Sequence, residues 1–265
     1  MNGDFLQLRI VCGLPTKKQG FFAAAVVCRS DGKGQDMKKK LLLLSLLWGG
    51  VTLSAQTIVQ QFTSLSQGAK DSFMELKEPT SKGNVLVAMS TIISPGVRVL
   101  SVIDDAPGGS NLYQKIEGAS SSCANKFNDI WYCENCKAWA TVVTFEQSEG
   151  SASIISFLEL SNMESTSVLD GSGAHVSDGT AASAGLEVGP SIKTSATDFI
   201  VANYFPPPSG VTPAAWIFSP SFSYVKNAPP GTYQPTLAAK AAGGFCIGMA
   251  AFKTAAPAAA SGPNK

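Results

Sequence analysis

Short β-prone runs separated by turn-forming clusters are the feature that most constrains this fold. The runs are rich in Val, Ile, Phe, Tyr, Trp and Thr, and several, such as TVVTFEQ, alternate apolar with polar residues. Between them lie clusters of Gly, Pro, Asp, Asn and Ser, such as DDAPGGSN and NAPPGTY. These residues supply the backbone angles that tight connections need. The pattern therefore predicts an all-β chain.

The predicted strands cover most of the chain after residue 83. Many short strands at regular spacing predict a two-sheet antiparallel β-sandwich of jelly-roll type. No sequence repeat of fixed period accompanies them. The strands are predicted at residues 84–93, 98–104, 112–117, 127–134, 139–146, 153–160, 191–194, 199–205, 214–224, 232–239 and 244–253.

A targeting signal begins at Met37, where the sequence reads MKKKLLLLSLLWGGVTLSAQT. Three lysines, an apolar stretch and small residues in this order are typical of a secretory signal peptide, here residues 37–55 with cleavage after Ala55. The apolar stretch is shorter than the ~20 residues of a membrane-spanning helix. We therefore expect a secreted protein, extracellular or at the cell surface, without a membrane span in its mature form.

The segment upstream of this signal needs a separate interpretation. Signal peptides normally begin at the first residue of a chain, so we interpret residues 1–36 as an over-extended gene model, with a long n-region or an uncleaved anchor as the alternative. We expect one β-sandwich domain over residues 56–253. The Ala/Pro-rich end, residues 254–265, is expected to be a flexible tail.

The charge of the mature part excludes one class of partner. Residues 1–55 hold eight of the 20 basic and three of the 19 acidic residues, which leaves 12 basic and 16 acidic residues after the predicted cleavage site. A mildly acidic domain lacks the basic surface that nucleic acids require. We expect no nucleic-acid partner.

Several strand motifs resemble a recurring module of secreted bacterial proteins. In that module a GN-x-LVA strand, a turn of the type V-x-D-x-x-GN-x-Y, an IWYA-x-N strand and a VTVTF strand follow one another. Here they correspond to GNVLVAMSTI, VLSVIDDAPGGSNLYQKI, DIWYCENC and ATVVTFEQ, within residues 83–253. Cys133 replaces the usual Ala, and PGGSN replaces a shorter turn. The family is largely uncharacterised, so the resemblance implies a β-sandwich and no particular activity.

Four cysteines remain after the predicted cleavage site. Zinc usually needs four Cys or His ligands in paired clusters, and the single histidine, His175, cannot complete such a set. A redox dithiol would sit at a helix N-terminus, which WYCENC does not resemble. In an exported protein we expect disulfides instead. We favour Cys123–Cys136 with Cys133–Cys246, because Cys133 and Cys136 are too close to bridge easily from an extended strand. Cys123–Cys133 with Cys136–Cys246 is the alternative.

Acidic residues could in principle support glycan cleavage. Glu134, Glu146 and Glu159 lie on or beside strands, but catalysis would need two of them on one concave face. His175, in GSGAHVSDG, is accompanied by no nucleophile motif and is interpreted as a polar loop residue. We therefore predict that the protein is not an enzyme and has no cofactor.

Calcium is a further possibility at two turn-like stretches. Residues 104–111 and 170–179 offer carboxylate and amide oxygens, which are ligands that calcium prefers. Neither stretch has the EF-hand spacing. We interpret both as ordinary turns and predict no metal site.

Aromatic residues give the last functional clue. Trp139, Tyr204, Trp216 and Tyr224 are candidates for a platform on which sugar rings stack, although strand alternation places about half of such side chains in a core. We hypothesise a carbohydrate-binding or adhesion module. The alternative is a subunit of an extracellular fibre or matrix that associates through sheet edges or through residues 57–66. A glycan-active hydrolase or lyase is a third hypothesis.

Overall fold

The computed structural model describes residues 56–123, 125–177, 185–238 and 244–256. The all-β prediction is confirmed, because strands make up 57% and helix 2% of the structure. No helix among these residues is long and apolar enough to cross a membrane. The predicted signal peptide and its upstream extension, and residues 257–265 of the predicted tail, lie outside the described residues.

The described residues form nineteen strands and one 3-10 turn, Glu117–Ala119. The strands are β1 (Thr57–Ser66), β2 (Asp71–Glu75), β3 (Val85–Ile92), β4 (Val99–Asp104), β5 (Gln114–Lys115), β6 (Ser121–Cys123), β7 (Lys126–Cys133), β8 (Val142–Gln147), β9 (Ser153–Ser161), β10 (Leu169–Ser177), β11 (Leu186–Val188), β12 (Ile192–Thr194), β13 (Asp198–Phe205), β14 (Val211–Thr212), β15 (Ile217–Phe218), β16 (Phe222–Ala228), β17 (Gly231–Tyr233), β18 (Thr236–Ala238) and β19 (Phe245–Lys253).

These strands form five antiparallel sheets rather than the predicted two. Strands β1–β9, the N-terminal half, form sheet I, in the order β1-β9-β3-β7-β5 with β6 also paired to β7, and sheet II, in the order β2-β8-β4. Strands β10–β19, the C-terminal half, form sheet III (β10-β19-β13-β16-β15), sheet IV (β11-β18-β14) and sheet V (β12-β17). The jelly-roll assignment stays a prediction.

The two halves repeat one strand order, although the sequence shows no repeat. Sheet III follows the order of sheet I strand by strand, and sheet IV follows that of sheet II. The register agrees as well. Edge strands β1 and β10 each contain a bulge near their N-terminal end. In β1 the bulged residue is Val59, and in β10 it is Asp170. The opposite edge strands, β5 and β15, pair with Tyr132 and Tyr224, which occupy equivalent positions.

Three hydrophobic cores hold the sheets together. The first lies between sheets II and I, the second between sheets I and III, and the third between sheet III and sheets IV and V. Strand β3 alternates between the first two, with Leu86 in one and Val87 in the other. Its continuous apolar sequence VLVAMSTI is explained by this arrangement, because every residue of the strand is buried.

The disulfide pairing differs from both predicted alternatives, which are wrong. Cys123 is bonded to Cys246, with Cα atoms 5.5 Å apart, and this bond joins β6 of the N-terminal half to β19 of the C-terminal half. Cys133 is bonded to Cys136, with Cα atoms 5.9 Å apart. The short pair can form because β7 ends at Cys133 and the chain turns at Asn135, which has a φ of 50°.

Several predicted element boundaries are also corrected. The stretch from residue 170 to 177, interpreted as a turn, is strand β10, and it places His175 opposite Ile247. The predicted strand 139–146 begins only at Val142, so Trp139 lies in the preceding loop. The predicted strand 214–224 is split into β15 and β16.

Candidate functional site

Three connections meet at one end of the N-terminal half. They are residues 76–84, 104–113 and 134–141, which link β2 to β3, β4 to β5 and β7 to β8. Hydrogen bonds join all three, and together they are called the tip below. Loops at the end of a β-sandwich are frequent binding sites, because a rigid scaffold positions them.

Asp104 organises the second of these connections. Its Oδ1 accepts hydrogen bonds from the backbone N–H groups of Asn111 (2.9 Å) and Ala106 (3.2 Å). Its Oδ2 accepts one from Asn111 Nδ2 (2.7 Å) and one from Tyr113 Oη (3.1 Å). The carboxylate is thus saturated by its own loop, as expected for a turn. No cluster of three or more His, Cys, Asp or Glu residues that could hold a metal occurs in the described part of the chain.

Asp105 and Asn111 fasten this loop to residues 134–141. Asp105 accepts hydrogen bonds from the N–H of Thr141 (2.6 Å), its hydroxyl (2.6 Å) and the N–H of Val142 (2.8 Å). Burial is the largest single influence and raises the pKa of Asp105, but the hydrogen bonds from Thr141 and Val142 together outweigh it and lower the pKa below its ordinary value. Asn111 Oδ1 accepts the N–H of Lys137 (2.6 Å), whose Nζ donates to the carbonyl of Gly109 (2.9 Å).

Glu159 and Thr80 fasten the first connection. The fully buried carboxylate of Glu159 accepts the N–H of Ser81 (2.8 Å), Asn84 Nδ2 (2.6 Å) and Gln60 Nε2 (2.6 Å). Thr80 donates its N–H to the carbonyl of Ala140 (2.9 Å) and accepts, at its own carbonyl, the N–H of Trp139 (2.8 Å). The tip is therefore a rigid network of polar contacts.

The three acidic candidates are not brought together on one face. Glu159 is buried, whereas Glu146 lies on the outer face of sheet II, because its neighbour Phe145 points into the first core. Glu134 accepts the N–H of Val168 (3.0 Å) at the junction of the two halves. An acid pair of the kind that cleaves glycosides is not assembled from these residues.

Trp139 is the exposed aromatic residue of the tip. Its side chain is 67% exposed, and its backbone φ is 73°. A bulky residue in this left-handed region is unusual and costs about 1–2 kcal/mol. Strain of this kind occurs preferentially at functional sites.

A shallow groove lies in the same tip. Its volume is about 280 Å³, and its lining includes the 78%-exposed side chain of Leu112. The remaining lining residues offer hydroxyl, amide, carboxylate and ammonium groups, which suit a ligand rich in hydroxyls. They are Ser110, Asn111, Gln114, Glu134, Asn135 and Lys137, and the disulfide-bonded Cys133 completes the lining.

The other three aromatic candidates are core residues. Tyr204, Trp216 and Tyr224 are each less than a tenth exposed. Tyr204 and Trp216 belong to the third core, and Tyr224 belongs to the second. Their faces are not available for stacking on a sugar, because Tyr204 and Tyr224 lie in sheet III, which is covered on both sides, and Trp216 is packed into the third core. The predicted four-residue platform is wrong for these three.

A polar cluster around Asp198 in the C-terminal half was not predicted from the sequence. Asp198 is fully buried, and among the described residues no hydrogen bond of normal geometry is made to its carboxylate oxygens. Nearby, Asp170 accepts hydrogen bonds from Ser195 N (2.5 Å) and lies 4.0 Å from Lys253 Nζ. Burial first, and then the charge of Asp170, raise the pKa of Asp198 to about 7, although the Thr194 side chain and the charge of Lys253 lower its pKa in part.

Comparison of the chain with protein-family models, curated proteins and solved structures found no match in any of the three. Functional proposals for this chain therefore rest on its own residues.

Proposed function

We propose that this protein is a secreted, non-enzymatic binding module whose tip contacts a carbohydrate of a cell-surface or extracellular polymer. The observation that carries the proposal is Trp139, an exposed indole held in a strained backbone conformation by a rigid loop network. A chain selected only for stability would place glycine there, because glycine adopts a positive φ without strain.

The chemistry of the tip fits a sugar better than an apolar ligand. Aromatic rings combine apolar area with a polar edge, and they lose little conformational entropy on binding. The neighbouring groove presents Ser110, Gln114, Asn135 and Lys137, which can pair with sugar hydroxyls. Because the tip is already fixed by its own hydrogen bonds, little ordering would oppose binding.

Secretion is supported by the chemistry of the cysteines. Two disulfides are expected in an oxidising compartment and are rare in the cytosol. The apolar segment with three lysines at residues 38–40 has the composition of an export signal. N-terminal sequencing of the exported protein tests this part, with a start at Gln56 expected.

The binding proposal is tested by screening the purified protein on a broad glycan array and on insoluble polysaccharides. Trp139→Ala should weaken binding at least about tenfold, or roughly 1.4 kcal/mol. Phe73→Ala is the matched control, because Phe73 is a 62%-exposed aromatic residue within strand β2 of sheet II and not in one of the three connections of the tip. Absence of binding on every surface, or equal losses in the two variants, would contradict the proposal.

The same samples test the hydrolase hypothesis. Wild-type protein incubated with each bound polysaccharide should release no reducing ends. Release that disappears in Glu134→Gln, the partly exposed acid in the lining of the groove, would replace the binding module by a glycan-active enzyme.

A second candidate function, a subunit of an extracellular fibre, is favoured by strand β1. This ten-residue edge strand, TIVQQFTSLS, contains no charged residue and no proline. Native edges are usually protected by such residues. The equivalent strand β10 carries Asp170 at its bulge, so of these two edge strands β1 is the one that offers a long uncharged edge to another strand.

Sedimentation and electron microscopy test this candidate. If β1 mediates assembly, Leu65→Lys should abolish concentration-dependent association. Val176→Lys, a change of another exposed aliphatic residue on the equivalent edge β10, should leave association intact. Monodisperse wild-type particles at every concentration would rule the candidate out.

A further inference from the structure

The outer face of sheet II has an apolar row between two acidic margins. The register places Phe73, Thr144 and Ile103 side by side across β2, β8 and β4. Phe73 is 62% exposed and Ile103 is 38% exposed. On the same strand as Ile103, the bulged residue Leu100 is 64% exposed. This row contributes nothing to the first core, which lies on the opposite face of the sheet.

The row is bordered by carboxylates that form no ion pair with the residues that the structure describes. Asp71 lies directly opposite Glu146 on one side of the row, and Glu75 follows Phe73 on the other. Neither ion pair among the described residues involves these three acids. Like charges directly opposite each other in a sheet are unfavourable. Lys70 and Lys77, the nearest lysines in sequence, lie outside strand β2.

The equivalent face of sheet IV shows that the fold does not require this pattern. There Leu186 lies opposite Ala238, at the positions equivalent to Asp71 and Glu146. Val188 occupies the position equivalent to Phe73, beside Thr236. One half thus has an aromatic row between carboxylates, and the other half has neutral residues at the same positions.

We propose that the outer face of sheet II docks a short cationic, amphipathic segment of another protein. An apolar anchor of the partner would contact Phe73 and Ile103, and flanking Lys or Arg side chains would pair with Asp71, Glu146 and Glu75. A second copy docked through the same face is disfavoured, because the carboxylates would face each other. The surface is small, three strands by three rows or about 10 by 14 Å, so it suits a short segment and a weak, salt-dependent affinity.

Fluorescence anisotropy with a labelled peptide of alternating lysine and leucine tests the proposal. The full chain should bind this peptide and should not bind a peptide of alternating glutamate and leucine. Raising the salt concentration to about 0.5 M should weaken binding strongly, because charge pairs at a surface are screened. Phe73→Ser should weaken binding about tenfold, and Asp71→Asn with Glu146→Gln should reduce the salt dependence.

Two controls keep the outcome decisive. Val188→Ser removes an exposed apolar side chain at the equivalent position of sheet IV and should leave peptide binding unchanged. Trp139→Ala should also leave it unchanged, which separates this surface from the tip. Failure of the wild-type protein to prefer the cationic peptide would overturn the proposal, as would an equal loss of binding in Phe73→Ser and Val188→Ser.

Discussion

The N-terminal and C-terminal halves share strand order and register, but the loops at their equivalent ends differ: the C-terminal connections pair with each other as sheet V, whereas the N-terminal ones are joined through buried acids. The N-terminal loops are joined through Asp104, Asp105 and Glu159, and they expose Trp139. In the C-terminal half the buried acid Asp198 accepts no hydrogen bond of normal geometry from the described residues. The same strand order thus carries different polar contacts at its loops, so the two halves are matched controls for each other.

Equivalent positions make this contrast specific. The register that aligns the bulges at Val59 and Asp170 also aligns Asn84 with Asp198 and Ser156 with Gly248. Asn84 donates to Glu159 (2.6 Å), whereas Asp198 meets the like charge of Asp170, which Thr194 and Lys253 offset only in part. Residues that face the cores preserve the fold, and these few positions determine how the halves differ.

The largest expected difference concerns the two disulfides. Replacing both Cys123 and Cys246 by alanine should lower the free energy of unfolding by roughly 4–5 kcal/mol, because this bond closes a long loop between the halves. Replacing Cys133 and Cys136 should cost only about 2 kcal/mol, because they are three residues apart. Urea unfolding measures both. Equal costs would mean that the link between the halves is not the stronger constraint.

The next difference concerns two equivalent residues, Ser156 and Gly248. A Cβ at Gly248 would overlap the carbonyl oxygen of Ala119, so Gly248→Ser should cost about 3 kcal/mol through displacement of the backbone. Ser156→Gly should cost only about 1 kcal/mol, through lost hydroxyl contacts with Thr63 and Ser221 (3.0 Å each). Thermal unfolding of both variants measures the two losses of stability. A larger loss in Ser156→Gly than in Gly248→Ser would contradict this interpretation.

The acid of the C-terminal half should produce a pH dependence. The pKa of Asp198 is about 7 in the folded state and about 3.9 in an unfolded chain. Between these two pH values the folded state binds more protons than the unfolded state. The stability that neutral Asp198 contributes is therefore fully present below about pH 4 and is lost as the pH rises through 7. Asp198→Asn should therefore stabilise the protein by roughly 1–3 kcal/mol at about pH 8 and change little at about pH 4.

The equivalent exchange in the other half is the control for this prediction. Asn84→Asp removes a donor from the buried carboxylate of Glu159 and adds a like charge beside it. It should create in the N-terminal half the alkaline instability that Asp198→Asn removes from the C-terminal half. Unfolding curves of the two variants at about pH 4 and pH 8 measure both effects. An effect of Asp198→Asn on stability that does not change with pH would contradict the raised pKa of Asp198.

The sequence predicts the long central strands well and the layering poorly. Strands β3, β9 and β13 were predicted to within a residue or two, because they are apolar runs bounded by turn residues. Such a run indicates burial but does not tell which sheets cover its two faces. Strands of two or three residues, such as β11 and β14, are too short to carry a pattern.

The candidate site was only partly predictable for a related reason. Trp139 could not be separated from Tyr204, Trp216 and Tyr224, because all four follow the same local pattern. What distinguishes Trp139 is a backbone conformation held by Thr80, in a connection distant along the chain. The disulfide pairing was missed likewise, since the turn at Asn135 has no strong signal in the sequence.

The most direct test of the central claim is Trp139→Gly, assayed for stability and for glycan binding in the same preparation. If Trp139 is retained for binding, glycine at its φ of 73° should raise the free energy of unfolding by about 1 kcal/mol while binding is lost. A residue kept for packing would behave in the opposite way. Lower stability with binding intact would contradict the account.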